Sequence, residues 1–101
     1  MELTSQNFDT TIKKNSVVLV DFWAQWCGPC RVLDPIINTL SKKYKNNIGK
    51  VNVDTERQLA SRFQIRGIPT TKIFKNGEVV DTIVGVKSSS FYEDKLKYYL
   101  N

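Results

Sequence analysis

The sequence predicts an α/β fold: a mixed, partly parallel β-sheet of four to five strands flanked by four helices. Three observations carry this. Short apolar, β-branched runs alternate along the chain with segments whose apolar residues recur at three- and four-residue intervals, which is how strands and crossover helices alternate. Val17 to Trp23 (VVLVDFW) is almost wholly apolar, as in a central strand covered on both faces. Asn76-Gly77 lies between two such runs and marks a tight hairpin, because both central residues of that turn need positive φ, so one edge of the sheet is antiparallel.

The elements follow in order. Met1 to Leu3 is a short first strand at most. Phe8 and Ile12, spaced four apart after Thr4 or Ser5 as a cap, give a first helix ending near Asn15. After Val17 to Trp23, the set Leu33, Ile36, Ile37, Leu40 and Tyr44 forms one face of a helix that begins at Pro29, a residue suited to a first helical turn. Pro35 falls inside this helix and should kink it. Ile48 to Val53 reads as a strand, Leu59 and Phe63 as one face of a short helix, and Thr70 to Phe74 as a strand leading into the hairpin and Glu78 to Val84. Ser90 with Glu93 reads as a capping box for a last helix carrying Tyr92, Leu96, Tyr99 and Leu100.

With 101 residues, of which 41% are apolar, the chain suits one domain spanning residues 1–101 with a single fold to build. The longest aliphatic run is Val17 to Val20, far short of the roughly 18 residues of a membrane-spanning helix, and the first fourteen residues lack a signal-like apolar stretch. No export and no membrane partner are expected, and the expected compartment is the cytoplasm. There is no histidine. Ser-His-Asp and Cys-His nucleophilic systems and His-bearing zinc sites are thereby excluded, and two cysteines cannot complete a four-ligand structural zinc site in one chain. Fifteen basic against ten acidic residues leave a net charge of +5, a weak pointer to acidic partners. The densest cluster, Lys42, Lys43 and Lys45, falls where a helix end welcomes cations, and no nucleic-acid motif or aromatic-basic stripe accompanies it. No nucleic-acid partner is expected.

What remains is the chemistry of Cys27-Gly28-Pro29-Cys30. The pair lies where a buried strand hands over to a helix, which puts Cys27 at or just before the helix N-terminus. Unpaired N–H groups and the positive end of the helix dipole favour a thiolate there, below the ordinary thiol pKa of about 8.5. Two intervening residues let the sulfurs meet. Cys30, one turn inside, would be shielded and placed to resolve a mixed disulfide formed at Cys27. An inert disulfide, two ordinary thiols or a zinc half-site shared between chains are the competing readings. Asp21, alone among apolar neighbours, is either a structural carboxylate or a group whose pKa burial raises toward proton transfer near neutrality. Pro69 could be a proline entering a strand.

Val20 to Cys30 (VDFWAQWCGPC) resembles the active-site segment of the thioredoxin family. Gly67-Ile68-Pro69-Thr70 resembles that family's cis-proline loop, Phe74 to Gly77 its hairpin, and Val84-Gly85 the glycine beside its docking surface. The likeness extends over essentially the whole chain. It implies a protein-disulfide reductase that needs no bound cofactor or metal, acts as a monomer on disulfide-containing proteins, and is returned to its dithiol by a flavin-dependent thioredoxin reductase using NADPH. It further implies Cys27 as nucleophile, Cys30 as resolving cysteine and Asp21 as the buried acid/base assisting Cys30, with Lys50 as its charge neighbour. Ile68 and Pro69 would join through a cis bond facing the cysteines. Trp26, Gly28, Pro29, Ile68, Pro69, Gly85 and Val86 would form the docking surface, with Trp23 packed beneath the active-site turn. A thiol oxidase or isomerase is the alternative within this class, and a binding module with incidental cysteines the alternative outside it. Asp34, four residues after Cys30, departs from the family pattern. It either couples electrostatically to the site or is a solvated residue screened by Arg31.

Overall fold

A computed structural model describes all residues, Met1 to Asn101. The elements are α1 (Phe8–Lys14), β1 (Val17–Trp23), α2 (Gly28–Lys43), β2 (Ile48–Asn52), α3 (Arg57–Arg62), β3 (Thr70–Lys75), β4 (Glu78–Val84) and α4 (Ser89–Leu100). Four strands form one sheet in the order β2-β1-β3-β4. The fold is the expected mixed sheet with four helices. Only β1 and β2 run parallel, however. The pairing of β1 with β3 is antiparallel, as is the β3–β4 hairpin, so the crossover through α2 is the one parallel connection. Asn76 (φ 53°) and Gly77 (φ 85°) supply the two left-handed residues of that hairpin.

The sheet divides two cores by strand alternation. Val17 and Leu19 face α2 and α4, where Leu33, Ile37 and Leu40 meet Tyr92 and Leu96. Val18, Val20 and Phe22 face the other way, toward Phe8 and Ile12 of α1 and Leu59 of α3. There Phe63 lies between Phe8 and Phe74, at 5.2 Å and 5.3 Å between ring centroids. Asp21 and Trp23 share the parity of Val17 and Leu19, so the one charged residue of β1 is turned toward α2.

One local expectation is corrected. The cap of α4 is Ser88, whose hydroxyl accepts from Phe91 N–H at 3.2 Å, and the proposed Ser90/Glu93 box does not form. Tyr92 and Leu96, four residues apart, form the buried face of the helix. Glu93 turns instead to Tyr44 and Lys43 on the α2 side. Ahead of α1 the Thr4 hydroxyl accepts the Gln6 N–H at 3.2 Å, as expected of a cap. Asn7 precedes its first residue, and the backbone carbonyl of Thr4 takes the N–H groups of Asn7 and Phe8. α2 runs on through Pro35. Met1 to Leu3 forms a single parallel bridge, Glu2 to Lys50, on the free edge of β2, with Leu3 N–H on Lys50 O at 2.8 Å. Gly49 permits this, because a Cβ there would lie 2.5 Å from Leu3 Cδ1. No helix is long and apolar enough to cross a membrane.

Candidate active site

β1 ends at Trp23 and α2 starts at Gly28, and the short link between them carries Cys27 at the N-cap of α2. Its backbone is extended there (φ −86°, ψ 112°), with Pro29 in the first turn, where its missing N–H has no intrahelical partner to lose. Cys27 and Cys30 are joined as a disulfide, with Cα atoms 5.2 Å apart. Cys27 Sγ accepts the Cys30 N–H at 3.2 Å, which places this sulfur on the unpaired donors of the helix terminus. Exposure does not separate the two sulfurs in this state, since Cys27 and Cys30 are 3% and 4% exposed. They differ in position along the helix, with Cys27 outside it and Cys30 within.

A second loop meets the cysteines. The Ile68–Pro69 bond is cis, and Cys27 Sγ lies 3.6 Å from the carbonyl oxygen of Ile68. Neither the N–H nor the C=O of Ile68 enters a backbone hydrogen bond. Pro69 is buried, and its carbonyl accepts from Gly85 N–H at 2.9 Å, which draws the turn after β4 beside the cysteines. Gly85 has φ 89°, a conformation strained for any side-chain-bearing residue. Gly28 and Pro29 are exposed, Ile68, Gly85 and Val86 half-buried. Trp26 is 68% exposed and donates its indole N–H to Asp54 Oδ2 at 2.9 Å. Trp23 packs instead on the buried cluster of Ala24, Cys27 and Cys30, as expected of a residue beneath the turn.

Asp21 is fully enclosed, and burial pushes its pKa up from 3.8 to about 7, with the Lys50 charge opposing and the Asp34 charge assisting the rise. Lys50 is the cross-strand partner of Asp21 on β2, yet its ammonium forms an ion pair with Asp34 and lies 4.9 Å from the Trp23 ring centroid. Arg31, the screening residue if Asp34 were merely solvated, donates to the carbonyl of Gln25. Cys30, Trp23, Asp34 and Arg31 line a hollow of about 150 Å³ beside the active-site turn. No group of three or more Cys, Asp or Glu side chains is placed to hold a metal ion. Sequence reasoning missed Asp54, which accepts the Trp26 indole N–H. Asp54 carried no signal before its loop was placed against Trp26.

A thioredoxin family model matches residues 1–98. A thioredoxin from Porphyra purpurea is 40% identical over 103 residues, covering 99% of this chain and 96% of its own, and one from Buchnera aphidicola is 42% identical over 104, covering 100% and 96%. Among solved structures, a single-substitution mutant of a Halobacterium salinarum thioredoxin matches with a TM-score of 0.92 at 34% identity, over 100% of this chain and 90% of its own. A Plasmodium falciparum thioredoxin matches at 0.86 and 37%, over 96% and 97%. This fold with its paired cysteines defines a thiol-disulfide oxidoreductase. The chain belongs to the thioredoxin family, and its activity is that of a protein-disulfide reductase, with disulfide-bearing substrates and a reductase as electron donor.

Proposed function

We propose that Cys27 is the attacking thiolate and Cys30 the resolving thiol of this reductase. The observation that carries the assignment is the placement of Cys27 Sγ, held on the N–H of Cys30 at the start of α2 and 3.6 Å from Ile68 O. That sulfur alone has both the helix terminus to stabilise its charge and an open backbone edge beside it. An extended substrate segment pairs with the unused N–H and C=O of Ile68, over a surface made by Trp26, Gly28, Pro29, Pro69, Gly85 and Val86. Cys27 attacks one substrate sulfur, and the other leaves as a thiolate and takes up a proton. The Asp21 carboxylate then accepts the Cys30 proton, Cys30 attacks Cys27 Sγ, and the second substrate thiol is released as the protein disulfide forms. Lys50 tunes this carboxylate by its charge.

Two electrons return from the reductase, for which the flavin-dependent, NADPH-using kind is the proposed donor on the strength of the family resemblance. The proposed working form is one domain acting as a monomer, in the cytoplasm, where reduced thiol pools suit the reducing direction. Alkylation tests the assignment. In the reduced protein near neutral pH, iodoacetamide should label Cys27 well ahead of Cys30, and faster labelling of Cys30 would reverse the roles.

A further inference from the structure

Each of the three chain segments that meet at Cys27 brings a cation to the rim of the docking surface. Arg31 follows Cys30 directly, and its Nε donates to the Gln25 carbonyl at 3.2 Å, which folds the side chain back along the active-site turn. Arg66 precedes Ile68 by two residues, so their Cα atoms are at most about 7 Å apart. Lys87 follows Val86, with its N–H held on the Tyr92 hydroxyl at 3.0 Å and its ammonium 5.9 Å from the Phe91 ring centroid. All three are exposed, and none forms an ion pair with a carboxylate of this chain. Arg66 also stacks on no aromatic ring, whereas Arg62 lies over Phe8 and Phe63, so the Arg66 guanidinium is free for a partner.

The acids of the same region are already engaged. Asp21 is enclosed, Asp34 holds Lys50, and Asp54 accepts the Trp26 indole N–H while Arg57 Nε donates to its carbonyl at 3.4 Å. The positive end of α2 adds to the balance. The docking surface therefore sits in a rim of net positive charge, whose field acts on any segment lying along Ile68. We infer that the preferred substrates of this reductase carry Asp or Glu beside the half-cystine that Cys27 attacks. The inference rests on the docking surface and the Cys27 role given above, and names the substrate class within that reading. Such a segment sets its carboxylates among Arg31, Arg66 and Lys87, where the guanidinium groups can bind them through paired N–H donors. A segment flanked by Lys or Arg meets repulsion there. Rim charges of this kind act mainly on the association rate and its salt dependence. The bonds exchanged remain those of the Cys27/Cys30 cycle, and the cations select the substrate without entering the chemistry.

The test is reduction, by the prereduced protein, of two synthetic peptides closed by the same disulfide ring, one flanked by Asp residues and the other by Lys residues. Second-order rate constants are read by chromatography at ionic strengths of about 0.01 M and about 1 M, where the screening lengths are about 30 Å and about 3 Å. Each is divided by the rate with dithiothreitol, which removes the peptide's own reactivity. The acidic peptide should react on the order of tenfold faster at low salt, and the gap should close to less than about twofold at high salt. Arg66→Glu and Lys87→Glu should each cut the low-salt ratio by roughly threefold or more. Lys14→Glu changes the net charge equally but lies at the opposite end of β1, and should leave the ratio nearly as it was. Equal normalised rates for the two peptides, a faster basic peptide, or a Lys14→Glu loss as large as those of Arg66→Glu and Lys87→Glu would overturn the inference. The cysteine roles are read separately from the labelling rates of Cys27 and Cys30. A reversal there would defeat the assignment of the attacking sulfur, while the peptide ratio still decides the rim.

Discussion

Asp21 was legible in the sequence as the one charge in an apolar run, and the structure encloses it completely, with a pKa of about 7. This has a stability consequence with a definite sign. The folded protein keeps the Asp21 proton up to about pH 7, while the unfolded chain loses it near 4. Between these values the folded state binds more protons, so stability falls as pH rises and the loss is complete above pH 7. Asp21→Asn should therefore be more stable than the parent at pH 8, by on the order of 3 kcal/mol, and the two should converge toward pH 4. Guanidinium unfolding of the oxidised proteins at the two pH values checks this, and a constant difference would contradict it. Asp34 supplies a second prediction. Its charge raises the Asp21 pKa, and it holds the Lys50 ammonium in an ion pair. Asp34→Asn should lower the Asp21 midpoint by roughly half a unit in a carboxyl-carbon titration, while stability changes by less than about 1 kcal/mol, because the pair is partly solvated. The sequence shows Asp34 one turn after Cys30 but not its partner, since the Lys50–Asp34 meeting depends on how β2 and α2 lie on β1.

At the level of elements, the hairpin, the central strand and the helical faces were all readable, because each is set by local periodicity or turn chemistry. The direction of β3 against β1 was not. Nothing within either strand distinguishes a parallel from an antiparallel neighbour, and the long connection through β2 and α3 leaves both open. Nor did the sequence single out the cap of α4, since Ser88, Ser89 and Ser90 are three successive residues of the same capping type. The structure chooses Ser88. Ser88→Ala should accordingly cost about 1 kcal/mol in thermal unfolding. Ser90→Ala, already inside the helix, should cost no more than a few tenths. Equal losses would mean that the hydroxyls share the cap.

The whole molecule places its chemistry where three chain segments converge: the N-terminus of α2 with Cys27, the Ile68–Pro69 loop, and the Gly85 turn bound to Pro69. The two cores on either side of the sheet hold these segments in place, and the motif residues alone do not show how the convergence is built. The cysteines and their neighbours could be picked out along the chain, whereas Asp54 meets Trp26 only through the seating of its loop. The central claim is the division of labour between the two sulfurs. It is tested most directly by exposing Cys30→Ser and Cys27→Ser, each reduced, to a disulfide-bearing protein such as insulin and reading the products by intact-mass spectrometry. Cys30→Ser should accumulate a stable adduct linked through Cys27, and Cys27→Ser should form none. A persistent adduct on Cys30 in the Cys27→Ser protein, with none in Cys30→Ser, would contradict the account.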